Sequence, residues 1–554
     1  MKKIPLSYLF KILHYSFTKL PKLYWVILFS LFSIFIEIAA INLLALISSF
    51  DQIKTKDIFQ TLTGIVGEIN PEILFILFIG LFIIRLITMS ISEALIISFG
   101  KKLHGSLSMD TFSKILHQVK IKEIENKSIG YFISLSGDEA ARAAGVLVSL
   151  IRFISTGILI VFYFLTLCYY SLSGGAIAIS VILLMSVFSV FLMKRLHFFG
   201  KKLLDESRHA NSIFMDSLHG IRSVRAFNAE KFAADEYTDV IFNYMRTNFW
   251  IETYQYVSKT LPLIILFVLS GVLASYQYLS SSHFNVTFYM TLLFLLMRFF
   301  YSLGDALSIV SKVITEAKIG HNITDFVLSK VPENTEEDFP EETINTVVIQ
   351  NLSFAYDESK KVFSNLNLNF ERGKSYAIVG SSGAGKSTLL NLLLKFYTPD
   401  SGKILLNNQD ISRFTESSIR EKILLLGQES IIFNDTVRKN LGFGNDYSDD
   451  DIIKSLHLAC AKNIVDELPD GLETVLHYKG ANLSGGQKQR LVLARALLRE
   501  FDILILDEST SALDYETRIQ VVENILSSFP EKIIIFITHD LEIQKMVDNV
   551  IDLT

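Results

Sequence analysis

The sequence predicts a multi-domain protein in which an all-α six-helix transmembrane domain with long cytoplasmic helices is followed by an α/β domain. The mean hydropathy is +0.38, with 50% hydrophobic and only 20% charged residues, which is too apolar for an average soluble chain. Apolar runs fill the first part of the chain, whereas short β-branched strands alternate with helices from Val347 onward. A glycine-rich loop between a strand and a helix adds the third observation.

Six apolar runs carry few charges, and each approaches or exceeds the roughly 20 residues that cross a bilayer. They cover residues 23–50, 72–98, 143–171, 175–193, 260–280 and 284–310. Before them, apolar residues recur at spacings of three and four, which predicts an amphipathic helix lying in the membrane interface. These residues are Leu6, Leu9, Phe10, Leu13 and Phe17.

The distribution of Lys and Arg predicts the topology. Basic residues follow the second span (Lys101, Lys102, Lys114) and the fourth (Lys194, Arg195), whereas the connections 171–175 and 280–283 contain none. Because cytoplasmic loops are enriched in Lys and Arg, the basic segments lie inside. We therefore expect a multi-pass protein of the cytoplasmic cell membrane with both termini in the cytoplasm.

Composition divides the chain into a transmembrane domain (1–312), a linker (313–345) with an acidic, proline-containing stretch, and an α/β domain (346–554). The two cysteines exclude a disulfide framework. A net charge of -5 gives no indication of a nucleic-acid partner. The partner that these features predict is a lipid bilayer.

A phosphate-binding loop follows the apolar strand 375–379, and a helical run follows the loop. Glycines let backbone N–H groups converge on phosphate oxygens, and the helix N-terminus adds positive potential. Lys386 can reach the β- and γ-phosphates, and Ser387 can ligate Mg²⁺. The loop residues are Gly380, Ser381, Ser382, Gly383, Ala384, Gly385, Lys386, Ser387 and Thr388. The sequence thus predicts a phosphate-binding loop that holds a nucleotide with Mg²⁺.

Two carboxylates end a second apolar strand, 503–506. Acidic residues at a buried strand end are costly without a cation or a partner. We assign Asp507 to the Mg²⁺ shell and Glu508 to polarising the attacking water. A purely structural or water-orienting role for Glu508 remains the alternative.

Between these motifs, residues 483–487 read Leu-Ser-Gly-Gly-Gln, and here the chain resembles the ABC ATPases. The resemblance implies that Tyr356 stacks on adenine, that Gln428 is the Q-loop residue contacting Mg²⁺, and that His539 is the switch histidine. It also implies that Asp514 ends a D-loop beside the nucleotide. Catalytic roles therefore fall on Glu508, His539 and Gln428.

In the ABC ATPases this Leu-Ser-Gly-Gly-Gln stretch, hereafter the signature segment (483–487), contacts a nucleotide held by another subunit, and the resemblance implies the same here. It implies that Ser484, Gly485, Gly486 and Gln487 face the γ-phosphate bound to that subunit's loop. One chain then carries half of each site, so we expect a homodimer, with a heterodimer as the alternative.

Six spans ahead of one ATPase domain resemble an exporter-type half-transporter. Segments 127–141 and 216–230 are similar to the cytoplasmic loops that carry coupling helices in that class. One departure is the stretch His477-Tyr478-Lys479-Gly480, where the class usually has Gly-Glu-Arg-Gly. Catalysis should not depend on it.

A weaker resemblance, in residues 35–42 and the external segment 51–71, points to lipid-linked oligosaccharide flippases. The expected function is ATP-driven export or flipping of an amphipathic substrate: a lipid-linked saccharide or glycolipid, a peptide or a drug. The alternative is an ABC ATPase that gates or anchors a membrane complex without moving a substrate. Glu37, Arg85 and Glu93 lie at membrane depth, either as functional groups or as internal ion pairs.

Overall fold

The computed structural model describes residues 7–19, 23–48, 71–280, 286–329, 336–356 and 361–553. Two compact units make up the chain: Met1–Val119 with Glu123–Lys330, and Lys120–Lys122 with Val331–Thr554. The first unit is helical and the second is α/β, which confirms the predicted fold class.

The part of the chain up to residue 328 consists of long helices and short connecting ones, among its described residues. In chain order they are α1 (Ser7–Lys19), α2 (Leu23–Ser48), α3 (Pro71–His117), α4 (Ile121–Glu125), α5 (Ile129–Ser134), a π-helical segment (Leu135–Glu139), α6 (Ala140–Tyr170), α7 (Leu172–His219), α8 (Ile221–Ala226), α9 (Glu230–Ser280) and α10 (Val286–Leu328). The coupling segments named above contain the short helices α5 and α8.

Within the described residues, six helices are long and apolar enough to span a membrane: α2, α3, the α5–α6 segment, α7, α9 and α10. The 47 residues of α3 correspond to about 70 Å, more than twice the thickness of a hydrocarbon core. Such helices extend beyond the bilayer, as the sequence predicts. The boundary expected at residue 312 falls inside α10. The expected external segment 51–71 lies outside the described residues except for Pro71, which begins α3.

Apolar side chains of this unit lie in two environments, between the helices and on their outer faces. Leu103, Leu107 and Leu147 have no exposed surface and pack between helices. Ile76 is 68% exposed and Val187 is 75% exposed, on faces suited to lipid contact. The helices are apolar on both faces because both are away from water.

The α/β unit contains two sheets among its described residues. Its strands are β1 (Thr346–Ala355), β2 (Lys361–Glu371), β3 (Ser375–Val379), β4 (Ser401–Leu406), β5 (Gln409–Asp410), β6 (Ile423–Leu426), β7 (Ile503–Asp507), β8 (Ile533–Ile537) and β9 (Asn549–Asp552). An antiparallel sheet has the order β2-β1-β4-β5, and a parallel sheet has the order β6-β7-β8-β3-β9.

The α-helices of this unit, among its described residues, are α11 (Lys386–Leu393), α12 (Glu416–Lys422), α13 (Val437–Gly442), α14 (Asp449–Leu458), α15 (Lys462–Asp466), α16 (Gly485–Leu497), α17 (Tyr515–Ser528) and α18 (Leu541–Met546). Of these, α12 and α16 pack on β6, whereas α13 and α14 pack on α16. Strands β3, β7 and β8 are almost entirely buried because both faces of the parallel sheet are covered. This burial fixes the strand ends from which the site is built.

Candidate functional site

Four loops meet at the carboxyl edge of the parallel sheet, where ligands of open α/β sheets bind. They follow the neighbouring strands β6, β7, β8 and β3. The loops carry Gln428, Glu508, His539 and Lys386, respectively. The fold thus brings together residues that are far apart in the sequence.

The phosphate-binding loop has a backbone that requires glycine. Gly385 has a φ of +95°, and a Cβ there would lie 2.6 Å from the Phe363 ring. Within the turn, which also contains Ser382 and Gly383, Ala384 N donates to Ser381 O over 3.1 Å. Lys386 and Ser387 then open α11.

Lys386 is held across the loop that it follows. Its Nζ donates to Gly380 O at 2.6 Å and to Ser381 O at 3.3 Å, and it lies 3.1 Å from His539 Nε2. The ammonium group therefore lies over the loop, where phosphate oxygens would be its natural partners.

Asp507 ends β7 in register with Ile537 of β8. Burial raises the pKa of the Asp507 carboxyl, the neighbouring charge of Glu508 raises it further, and Lys386 opposes both. A half-buried carboxylate of this kind is well suited to a cation.

Glu508 has a left-handed backbone, with a φ of 47°. Its N–H donates to Ile537 O over 3.1 Å, and its carbonyl accepts from Ser511 N over 3.1 Å. Sparsely populated backbone conformations persist where surrounding bonds enforce them, and they concentrate at functional sites. The conformation holds the Glu508 side chain at the sheet edge.

The Glu508 carboxylate contacts two of the other predicted catalytic residues. Gln428 Nε2 donates to Glu508 Oε2 over 3.0 Å, and His539 Nε2 lies 3.8 Å from Oε1. Together with the contact between Lys386 and His539, these distances join all four loops.

Tyr356 belongs to the same region. Its hydroxyl lies 3.1 Å from Thr388 Oγ1 in α11, so one of the two donates to the other. Its ring packs edge-on against Phe354 and Tyr397, with centroids 5.0 and 5.2 Å away. The ring is half-buried, next to α11, the helix that follows the phosphate-binding loop.

The signature segment caps α16. Ser484 Oγ accepts from Gln487 N, and the Gln487 side chain accepts from Ser484 N, which forms a capping box. Gly485 and Gly486 form the first turn. In the described part of the chain, no hydrogen bond or ion pair joins residues 484–487 to the phosphate-binding loop.

The segment before α17 is hydrogen-bonded to α16, the helix that follows the signature segment. Gln489 Oε1 accepts from Ala512 N over 3.0 Å, and a Cβ at Gly486 would lie 3.0 Å from Ala512 O. Asp514 caps α17, and the hydrogen bonds from Thr517 hold its pKa below the ordinary value. The two segments therefore form one structural element.

A magnesium ion fits the donor chemistry at the sheet edge. Ser387, Gln428 and Asp507 supply a hydroxyl, an amide and a carboxylate, the oxygen ligands that Mg²⁺ prefers. Among the described residues no group of three or more His, Cys, Asp or Glu side chains could hold a metal. A Mg²⁺ site that forms with a bound nucleotide does not need such a group of side chains, since phosphates and waters supply the remaining ligands.

The unusual stretch at residues 477–480 forms a 3₁₀ turn over Tyr478–Gly480, with Lys479 at a φ of 53°. His477 N donates to Asn482 Oδ1 over 3.3 Å. The turn connects to the signature segment through the bond from Leu483 N to Gly480 O.

Several partners of the charged residues were not foreseen from the sequence. Arg518 pairs with Asp540, the residue after His539. In the membrane unit, Arg298 and Arg152 contact Glu37 and Glu93, respectively. A charge inside an apolar run was the signal available for both arginines.

Two family profiles match the chain. The profile of the ABC transporter transmembrane region matches residues 16–303, and the ABC transporter profile matches residues 363–511. The first covers more than half of the chain.

Relatives and one solved structure agree with this match. The ATP-dependent lipid A-core flippase of Wigglesworthia glossinidia brevipalpis is 31% identical over 74% of this chain and 71% of its own. The mitochondrial iron-sulfur clusters transporter ATM1 of Saccharomyces cerevisiae is 30% identical over 68% of this chain and 56% of its own. A bacterial Atm1-family ABC exporter, solved with ATP bound, has a TM-score of 0.79 at 22% identity and covers 96% of this chain and 93% of its own.

Proposed function

This chain belongs to the ABC transporter family, with the transmembrane region and the ATP-hydrolysing domain in one polypeptide, and we propose that it exports or flips an amphipathic substrate. It is a multi-pass membrane protein and an ATP-hydrolysing translocase. The observation that carries the proposal is the meeting of Lys386, Gln428, Glu508 and His539 at one sheet edge, in a chain with six membrane-length helices. The relatives named above are a flippase and a transporter, so a gate or anchor without transport gains no support.

Different residues bind the nucleotide and activate the attacking water. The loop 380–388 and Lys386 bind the phosphates, and Tyr356 offers an aromatic surface to the base. Glu508 polarises the attacking water, while Gln428 and His539 orient it and contact the γ-phosphate. Mg²⁺, held by Ser387, Gln428 and Asp507, would neutralise charge on the β- and γ-phosphates.

The assembly is a homodimer, with a heterodimer as the alternative. Ser484, Gly485, Gly486 and Gln487 form a helix N-terminus that, within the described residues, has no hydrogen bond or ion pair with the loop 380–388 of its own chain. Such a terminus binds an anion, and in this proposal the anion is the γ-phosphate held by the partner subunit. Asp514, fixed beside it, lies at the same interface.

Both termini face the cytoplasm of the cell, and the protein lies in the cytoplasmic membrane. The basic residues after the second and fourth spans support this orientation. The chain divides functionally into the transmembrane domain 1–312, the linker 313–345 and the ATP-binding cassette 346–554. ATP closes the two cassettes, and hydrolysis releases them, which switches the membrane domain between inward- and outward-facing states.

The ATPase rate in lipid nanodiscs tests the proposal. We would add polyprenyl-linked saccharides, peptides and hydrophobic drugs separately, with Glu508→Gln protein as the blank. Stimulation by one of these classes supports transport of that class. Equal rates with every addition would contradict the coupling of hydrolysis to an amphipathic substrate.

A further inference from the structure

Four residues form a polar cluster inside the membrane unit, hereafter the membrane charge cluster: Glu37 of α2, Arg85 of α3, Tyr163 of α6 and Arg298 of α10. Arg85 Nη2 lies 2.9 Å from Glu37 Oε2, and Arg298 Nη1 lies 3.7 Å from Oε1. The Tyr163 hydroxyl donates to the same Oε1 over 2.5 Å. A single carboxylate therefore has three partners on three other helices.

The cluster lies deep in the apolar part of the helices. Glu37, Arg85 and Arg298 are each more than about ten residues from either end of their helices, which corresponds to roughly 15 Å along the axis. That distance is about half of a hydrocarbon core. Ionisable side chains at this depth are costly, and they mark ligand or ion pathways.

The charges of the cluster do not balance. Among the described residues, two guanidinium groups contact one carboxylate, which leaves a formal excess of one positive charge. Arg85 is 8% exposed, and its Nε is buried without a hydrogen-bond partner in the described part of the chain. Arg298 has the longer ion pair and the more accessible side chain, at 28% exposure.

A neighbouring pair shows that the imbalance is local. Glu93 of α3 and Arg152 of α6 pair one to one, with Arg152 Nη2 2.7 Å from Glu93 Oε2. The formal charges of that pair balance, although Arg152 Nε, like Arg85 Nε, is buried without a hydrogen-bond partner in the described part of the chain. The formal excess of positive charge is therefore confined to the membrane charge cluster, where Arg298 has the longer ion pair.

We propose that the membrane charge cluster binds the anionic group, a phosphate or carboxylate, of an amphipathic substrate. Arg298 is its principal contact, because guanidinium groups bind such oxyanions with paired hydrogen bonds. Glu37 is an internal counter-ion that competes with the substrate for Arg85 and Arg298. The inference rests on the proposed transport function and narrows its substrate class to anionic amphiphiles.

The test compares two probes that differ in charge. Protein in phosphatidylcholine nanodiscs is titrated with lysophosphatidic acid or with lysophosphatidylcholine of the same acyl chain, and the ATPase rate is followed. We expect lysophosphatidic acid to stimulate at the lower concentration. Arg298→Gln raises its half-maximal concentration about tenfold or more, because a charged hydrogen bond is lost. Arg298→Lys keeps the charge but loses the paired hydrogen bonds, so it should raise the half-maximal concentration by less than Arg298→Gln does.

Two further variants keep the result independent of folding defects. Glu37→Gln removes the competing carboxylate and lowers the half-maximal concentration, a gain that a misfolded protein does not produce. Arg195→Gln removes an exposed charge next to Phe191 on α7, a helix that carries no residue of the cluster, and leaves the titration unchanged. The inference is overturned if lysophosphatidic acid and lysophosphatidylcholine stimulate the wild type at the same concentration, or if Arg298→Gln has the same titration as the wild type. Neither result contradicts the proposed transport function.

A second arm identifies the source of the anion, since a bilayer lipid carries the same chemistry as a substrate. Nanodiscs containing phosphatidylglycerol replace the added probe, and proteoliposomes report whether labelled lysophosphatidic acid changes leaflet with ATP. We expect ATP-dependent movement of the label, which assigns the site to substrate. Stimulation by phosphatidylglycerol without movement of lysophosphatidic acid overturns that assignment. Wild-type protein that moves no amphiphile of any charge contradicts the proposed function itself.

Discussion

Gln428 Nε2 donates a hydrogen bond to Glu508 Oε2 over 3.0 Å, although the two residues are 80 positions apart. Their strands, β6 and β7, are neighbours in the parallel sheet, and the register pairs Leu426 with Leu506. The loop after β6 therefore touches the carboxylate assigned to hydrolysis. Any movement of that loop changes a partner of the proposed base.

Replacing Glu508 with Gln should lower ATP turnover by about 100-fold or more, because general base catalysis contributes that much. ATP binding should persist, since the phosphate-binding loop is unchanged. Phosphate release by the detergent-purified protein measures the effect. Glu500→Gln is the matched control, an exposed carboxylate in the same domain. Turnover within twofold of wild type in Glu508→Gln would contradict the assignment.

Replacing Lys386 with Ala should abolish the stabilisation of the protein by ATP. A ligand present at 100 times its dissociation constant stabilises by about 2.7 kcal/mol, which a thermal melt detects. The variant loses the ammonium group that lies over the loop, so ATP should not shift its midpoint. Lys403→Ala, at an exposed position of β4, should keep the full shift. An equal shift in both variants would refute the predicted role.

Asp507 and Asp548 should affect the stability of the folded protein in opposite directions as pH changes. Folding raises the pKa of Asp507, so the folded state loses stability as pH rises above the ordinary value of about 3.9. At neutral pH and without nucleotide, Asp507→Asn should raise the melting temperature, and the gain should disappear in acid.

Asp548 is the matched case. Hydrogen bonds from Ser375 N and Oγ, each 2.8 Å long, hold its pKa below the ordinary value. The stability that the Asp548 carboxylate contributes is fully present above its pKa in the unfolded chain, and it is lost as pH falls through the lower pKa of the folded chain. Asp548→Asn should therefore lower the melting temperature at neutral pH. Melting curves that move in the same direction for both variants would contradict the assigned pKa shifts.

Ser484→Ala should separate the two roles of the signature serine. Loss of the N-cap costs about 1 kcal/mol of stability, and Thr436→Ala should cost a similar amount because Thr436 caps α13 in the same way. Only Ser484→Ala should also lose the ATP-driven closure of the two cassettes, measured by cross-linking between them with Glu508→Gln in the background. If Thr436→Ala impairs closure equally, the loss reflects stability rather than phosphate contact.

The fold was largely predictable because its strongest signals are local. Apolar runs of membrane length predict the spanning helices, and their continuation past the bilayer follows from the polar residues after Phe99. The phosphate-binding loop was recognisable because its backbone needs glycines at fixed spacing, as the φ of Gly385 illustrates.

Contacts set by packing were not predictable. The sequence identified Glu37 and Arg85 but left open whether they pair, and it did not single out Arg298. Their meeting depends on how α2, α3 and α10 pack, which no local pattern contains. The left-handed backbone of Glu508 was equally hidden, because it arises from bonds to Ile537 and Ser511 rather than from residue type.

The most direct test of ATP-driven amphiphile transport is simultaneous measurement of hydrolysis and substrate movement in proteoliposomes. Wild-type protein and Glu508→Gln would be compared with a labelled amphiphile from the class that stimulates the ATPase. We predict ATP-dependent movement by the wild type, and loss of both movement and hydrolysis in the variant. Wild-type hydrolysis without movement of any amphiphile, or movement that persists in Glu508→Gln, would contradict the proposal.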